Sequence, residues 1–181
     1  MLRRAYFLRW LFPLMTIFAI GILPILAQDE ESPEEIQYRE DYERCQKIMA
    51  GTDNVKKAEE LIAFIKERPN SKMNQYVQDT YLLILDNMLK NKNFVALSTL
   101  SKRFIEVRPR IGETYYFLGI AYRVDIKRPE AIEAFAKCVA AKNKLSTRAR
   151  TELETLYKLE NNGSLKGLED LLKKAESSIG K

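Results

Sequence analysis

Tyr115-Tyr116-Phe117-Leu118-Gly119-Ile120-Ala121-Tyr122, followed shortly by Ala131-Ile132-Glu133-Ala134-Phe135-Ala136-Lys137-Cys138, is the stretch that decides the fold. In both segments the apolar side chains return every three or four residues, which is the spacing of one helix face. Between them Asp125, Lys127 and Arg128 are polar, and Pro129 suits the first turn of a new helix because its missing N–H would have no partner there anyway. Small residues at Gly119 and Ala131 let two helix backbones approach closely, and the rings of Tyr115, Tyr122 and Phe135 fill the space beside them. The segment therefore reads as two antiparallel helices joined by a short turn.

Working outward, the same grammar recurs. Ser32-Pro33-Glu34-Glu35 supplies an N-cap, a proline at the first helical position and a glutamate three residues after the cap, so a helix is expected from there to Gly51. Asp53-Asn54 starts a second, which carries Ala58, Leu61, Ile62 and Ile65 and stops at Pro69. Further helices are expected over about 72–91, about 93–108, about 111–124 and from Pro129 onward. A seventh is capped by Ser146 and stops at Asn161-Asn162-Gly163, and an eighth is opened by Ser164 with Leu165, Leu168, Leu171 and Leu172 on one face. No segment sustains the period of two that a strand needs. Seven glycines and six prolines among 181 residues agree with long helices rather than many turns, and the expected class is all-α.

The spacing of Tyr115, Leu118, Gly119, Tyr122, Ala131 and Phe135 resembles the tetratricopeptide repeat, whose pattern places an aromatic, Leu-Gly, Tyr and then Ala-x3-Phe over a period of about 34 residues. Cys138 stands where that pattern has a small residue, and Asn143 where it has proline. Pro109 falls where the preceding repeat would end; that unit keeps Tyr81, Phe94 and Phe104 but lacks Leu-Gly. Pro69 and Pro109 are 40 residues apart, so one unit has gained about six. The resemblance implies tandem helix-turn-helix hairpins stacked in a solenoid of three to four repeats over residues 36–178, with terminal units degraded because one face meets water.

The N-terminal end is read separately. Arg3, Arg4 and Arg9 precede an uncharged run over residues 10–27, and no acidic residue occurs before Asp29. This is the layout of a secretory signal, with cleavage expected after Ala27. An uncleaved anchor is the alternative, since 18 residues approach the length needed for a hydrocarbon core of about 30 Å. Residues 28–35 form an acidic linker, and the exported form would lie in the periplasm or be secreted. Without residues 1–27 the net charge falls from +5 to +2, as 27 basic groups then face 25 acidic ones. The remaining charge is uneven: residues 101–150 hold 12 basic and 5 acidic groups, whereas residues 28–100 hold 10 and 14. The basic groups cluster near helix ends, where they favour the helix dipole, so nucleic acid is not the expected partner. Cys45 and Cys138 are far apart in the repeat order and read as buried thiols.

Catalytic chemistry is hard to assemble from this chain. Histidine is absent, which removes the commonest metal ligand and the base best suited to neutral pH. Two lone cysteines cannot complete a tetrahedral zinc site, and no Gly-rich phosphate loop exists. The expectation is a non-enzyme without cofactor or metal. The resemblance implies that the first helix of each repeat lines a concave groove for a partner segment. Carried onto this chain, those positions are Glu40, Glu43, Lys47, Asp79, Leu82, Asp86, Leu89, Glu113, Tyr116, Ile120 and Arg123. Five carboxylates against two cations favour a neutral or cationic protein or peptide segment, centred on Tyr116. The expected function is an exported scaffold for protein–protein interaction in the periplasm or cell envelope. The alternative is a structural subunit or assembly factor of an envelope complex, touching the membrane through residues 1–27.

Overall fold

A computed structural model describes residues 31–179, which contain eight α-helices and no strand. They are α1 (Pro33–Ala50), α2 (Asn54–Glu67), α3 (Asn74–Lys90), α4 (Phe94–Val107), α5 (Gly112–Val124), α6 (Arg128–Ala140), α7 (Ser146–Glu160) and α8 (Leu168–Ser178). The signal or anchor reading of residues 1–27 lies outside the described residues, as do residues 28–30 of the acidic linker. Residues 33–35, also assigned to that linker, form the first turn of α1. Among the described residues no helix is long and apolar enough to cross a membrane.

The helix starts follow from side-chain chemistry. Ser32 N–H donates to Glu35 Oε2 (2.7 Å) while Glu35 N–H donates to Ser32 Oγ (3.3 Å), completing a capping box. The Ser32 backbone and then its side chain hold the Glu35 carboxyl below its ordinary pKa. Asp53 Oδ1 accepts from Val55 and Lys56 at the head of α2, and Asn93 Oδ1 accepts from Ala96 at the head of α4.

The turns repeat. Lys92, Ile126 and Asn162 adopt left-handed backbone (φ 57°, 60° and 49°) after α3, α5 and α7. In each case the next N–H reaches back five residues: Asn93 to Met88 O, Lys127 to Tyr122 O and Gly163 to Lys158 O, at 2.9, 2.9 and 2.8 Å. Lys92 and Ile126 are 34 residues apart. The prolines mark a second repeated junction: Arg68 and Arg108, each before proline, donate to the carbonyls of Phe64 and Phe104 at 2.8 Å.

Two junctions differ from the sequence reading. Ser146 is not the N-cap of α7 but its first residue; Leu145 holds the cap position, and the turn is tied by Asn143. Asn143 Nδ2 donates to Cys138 O (2.8 Å), its Oδ1 accepts from Leu145 N–H (2.8 Å), and Ser146 Oγ bridges Asn143 N–H and Cys138 O. An amide side chain thus ties the turn at the position of the expected proline. Ser164 does not open α8, which starts at Leu168 because Gly167 takes φ 89° and redirects the chain. Leu165 is left in the connecting loop, and the loop is pinned by Tyr157 OH donating to Lys166 O (2.9 Å).

Packing runs along the chain. Consecutive helices from α1 to α7 pack on one another, and α2 on α4, α3 on α5, α5 on α7 and α6 on α8 add contacts one helix further on. The final pair is not a zipped hairpin, since α8 lies chiefly on α6. The tightest pair is α5 with α6. A Cβ at Gly119 would stand 2.7 Å from the ring of Phe135, which is fully buried beside Ala131. One apolar cluster gathers α1 to α4 with Phe117 and Ala121, and another gathers Tyr115 and Ile120 with α6 to α8. Helix α5 is therefore the wall between two cores. In the first, the Tyr81 ring stacks on Phe104 at 4.2 Å and its hydroxyl donates to Leu100 O at 2.8 Å.

Ile126 offers a direct check of this geometry. It is 76% exposed, so little burial is at stake, while a Cβ in left-handed backbone costs roughly 1–2 kcal/mol. Part of that is returned by the unfolded freedom of glycine. Ile126→Gly is expected to stabilise the protein by about 1 kcal/mol in urea unfolding; destabilisation would contradict the turn geometry.

Candidate functional site

The groove that the structure offers lies between α3 and α5. Asp79, Leu82, Leu83 and Asp86 come from α3, Glu113 and Phe117 from α5, and Lys144 and Leu145 from the connection into α7. They enclose a cavity of about 550 Å³. Residues 79, 83 and 86 share a stripe because three- and four-residue steps return to the same side of a helix. Gly112 sets the rim. A Cβ there would fall 2.3 Å from Asn143 Nδ2 and 2.4 Å from Ala141 Cβ, so the absent side chain admits the turn that delivers Lys144 and Leu145.

The groove is apolar at its floor and acidic at its edges. Leu82 and Phe117 are buried in the first core, but Leu83 is 58% exposed amid Asp79, Asp86 and Glu113. Asp86 Oδ2 lies 2.6 Å from Lys90 Nζ, and Asp79 Oδ1 accepts from Gln75 Nε2 at 3.0 Å. Both contacts are exposed and local on α3. An exposed pair of this kind is worth about 0.3–0.5 kcal/mol, so an incoming cation can replace it at little cost.

The structure divides the positions expected from the sequence. It brings Asp79, Leu82, Asp86 and Glu113 together around this groove. Tyr116 belongs elsewhere: its ring is half-buried against Phe117 (5.8 Å) and Phe135 (6.0 Å), and burial, then Glu152, pushes its hydroxyl pKa up. Ile120 is buried in the second core, and Arg123 is ion-paired with Glu152 of α7. Tyr116, Ile120 and Arg123 therefore do not line the α3/α5 groove, the Tyr116 and Arg123 side of α5 lying near Glu152 of α7. Glu43 and Lys47 are exposed on α1 and do not line the groove, and Glu40 lies 3.6 Å from Arg68. Leu89 packs partly buried between the two cores.

Leu83, Phe117, Lys144 and Leu145 were not foreseen. Leu83 had a readable sign, being the one large apolar side chain among Asp79, Asp86 and Lys90 on the polar stripe of α3. Lys144 and Leu145 had none, because a loop position is fixed by tertiary docking. Among the described residues no group of three or more acidic or cysteine side chains is placed to hold a metal ion. Of the positions that define the repeat pattern, Tyr115, Leu118, Gly119, Ala131, Phe135 and Cys138 are buried, and Tyr122 is half-buried beneath Lys102 Nζ at 5.3 Å. Tyr115 OH donates to Pro109 O at 3.0 Å, tying α5 to the end of α4. The chain matches no family model, no curated protein and no solved structure.

Both thiols are free and buried. Burial raises the pKa of Cys45, and it lifts Cys138 from 9.0 to about 11, opposed by the Asn143 hydrogen bond. Below pH 9 both folded and unfolded chains carry a neutral Cys138, and the stabilising difference is fully present. Above it the unfolded chain ionises first, so stability falls until the folded pKa is passed. Native protein at pH 8 is expected to leave both thiols unmodified by a disulfide reagent, with two equivalents reacting after unfolding. The fall in melting temperature between pH 8 and 10.5 should be smaller in Cys138→Ala; an equal fall would contradict the assigned burial of this thiol.

Proposed function

We propose that this protein is an exported, non-enzymatic scaffold of the tetratricopeptide kind, holding a cationic segment of another protein in the α3/α5 groove. Support for the repeat reading comes from the left-handed turn residues at Lys92 and Ile126, 34 positions apart, and from Gly119 closing on Phe135. Export rests on the basic and then apolar layout of residues 1–27, which leads to the periplasm or cell envelope. The observation that carries the binding role is Leu83, exposed to 58% in a groove lined by three carboxylates against one cation, Lys144. Exposing leucine there costs burial that folding alone would have recovered, and a partner side chain can recover it instead.

Geometry suggests what the segment looks like. Asp79 and Asp86 are seven helical residues apart, a rise of about 10 Å. A peptide in polyproline II form advances about 3.1 Å per residue with three residues per turn, so two basic side chains three positions apart lie on one side about 9 Å apart and can meet both carboxylates, with an apolar residue between them beside Leu83. The expected ligand is a short stretch of Arg or Lys flanking Leu or a similar side chain, and its affinity should fall with added salt.

Fluorescence anisotropy with a labelled Arg-Leu-Gly-Arg peptide tests this. Asp86→Lys and Leu83→Ser are each expected to weaken binding at least about tenfold, or 1.4 kcal/mol, with unchanged melting temperature because both side chains are surface-exposed or nearly so. Glu43→Lys on α1 should have little effect. Equal affinity for the wild type and both groove variants would end this reading.

A further inference from the structure

A second cavity, of about 320 Å³, lies between the first half of α1 and the turn joining α2 to α3, and it shares no residue with the α3/α5 groove. Its walls are Glu34, Gln37, Tyr38 and Asp41 on one side and Asn70, Ser71 and Lys72 on the other. Every one of these side chains carries a polar group. Most are surface groups, but Asp41 is 2% exposed.

A buried carboxylate is costly unless donors satisfy it. The cation facing Asp41 is Arg68, whose Nε stands 3.5 Å from Oδ1, longer than a charge-assisted hydrogen bond of about 2.7–2.9 Å. Arg68 is also shared, its Nη2 standing 3.6 Å from Glu40 Oε2. The guanidinium thus offsets the charge of Asp41 from a longer distance than a direct hydrogen bond and divides itself between two carboxylates. The remaining surroundings are rich in acceptors. Gln37 and Asn70 contribute amide oxygens, and Ser71 Oγ is held in place by accepting from Met73 N–H at 3.1 Å. Tyr38, 46% exposed, stands in the cavity wall with an aromatic ring that can take a cation's stem. The cation on this wall, Lys72, is drawn to Glu34 at 3.4 Å in an exposed pair.

We propose that this cavity binds an aliphatic primary ammonium group, with Asp41 as the charge partner, Gln37, Asn70 and Ser71 as acceptors of its N–H bonds, and Tyr38 over its methylene stem. A primary ammonium has three donors on a compact head, which match one carboxylate and neighbouring neutral oxygens. A quaternary ammonium has no N–H and is excluded by the same chemistry. The group can sit on a free amine or on a lysine side chain of another polypeptide.

The test is a titration of the protein, followed by amide resonances of Asp41, Asn70, Ser71 and Lys72, with n-butylamine, with acetyl-Gly-Lys-Gly-amide and with choline. Saturable shifts are expected for at least one of the first two, with Kd around 1 mM as suits a small monovalent head group, and none for choline. Response to butylamine points to a free amine, and response to the lysine peptide alone points to a partner chain; either supports the site. Asp41→Asn should weaken binding at least tenfold. Because that change can disturb Arg68, Gln37→Ala and Tyr38→Ala provide the second arm: each should weaken binding several-fold with unchanged melting temperature. No saturable shift with either amine, equal binding of choline, or undiminished affinity in Asp41→Asn overturns the proposal.

Discussion

The close approach of Gly119 of α5 to the ring of Phe135 of α6 is the constraint on which the rest depends. Where a Cβ would sit, the ring already is, at 2.7 Å. Phe135 in turn is fully buried, so the ring cannot retreat without opening a cavity in the second core. Fixing α5 on α6 fixes much else, because α5 gives Phe117 and Ala121 to one core and Tyr115 and Ile120 to the other. Gly112 at the head of α5 repeats the device, admitting Asn143 and Ala141 where a side chain would stand. That second contact places Lys144 and Leu145 on the rim of the α3/α5 groove. Two missing side chains on one helix thus connect the packing of the fold to the shape of its candidate site.

Charge is distributed in keeping with this division. The buried surfaces are apolar apart from a few hydroxyls and Asp41, while ion pairs such as Arg44–Glu67 and Arg128–Glu160 bridge neighbouring helices at the surface. Surface pairs of this kind contribute a few tenths of a kcal/mol each and adjust rather than create the arrangement. The stability of the row comes from apolar burial between successive helices. The carboxylates at the edge of the α3/α5 groove, Asp79 and Asp86, likewise make only exposed contacts within α3.

Much of the fold was legible because it is written in local chemistry. The capping box at Ser32 and Glu35, the cap at Asp53, and the prolines at 69 and 109 act within one or two turns of the chain, and the helices they bound lie close to where the sequence puts them. The small residues expected at 119 and 131 do stand at a close helix contact, Gly119 against the ring of Phe135. What was not legible depends on distant parts of the chain. Ser164 and Leu165 have the residue types of a helix start, but Gly167 in left-handed backbone moves the start to Leu168. Tyr116, Ile120 and Arg123 occupy repeat positions that suit a groove, yet α7 packs against that side of α5 and consumes them. Lys144 reaches the groove only through the docking of the Asn143 turn on Gly112, which no periodicity encodes.

If α5 is the shared wall, its backbone should be the last to open and the ends of the row the first. Among the described helices α1 packs chiefly on α2, and its buried residues are few, Asp41, Cys45 and Ile48. Native-state amide hydrogen exchange measures this directly, since each amide reports the free energy of its own opening. The slowest amides are predicted in α5 and α6, with protection declining through α4 and α3 to α1 on one side and to α8 on the other. Protection in α1 or α8 equal to that of α5 would contradict the account.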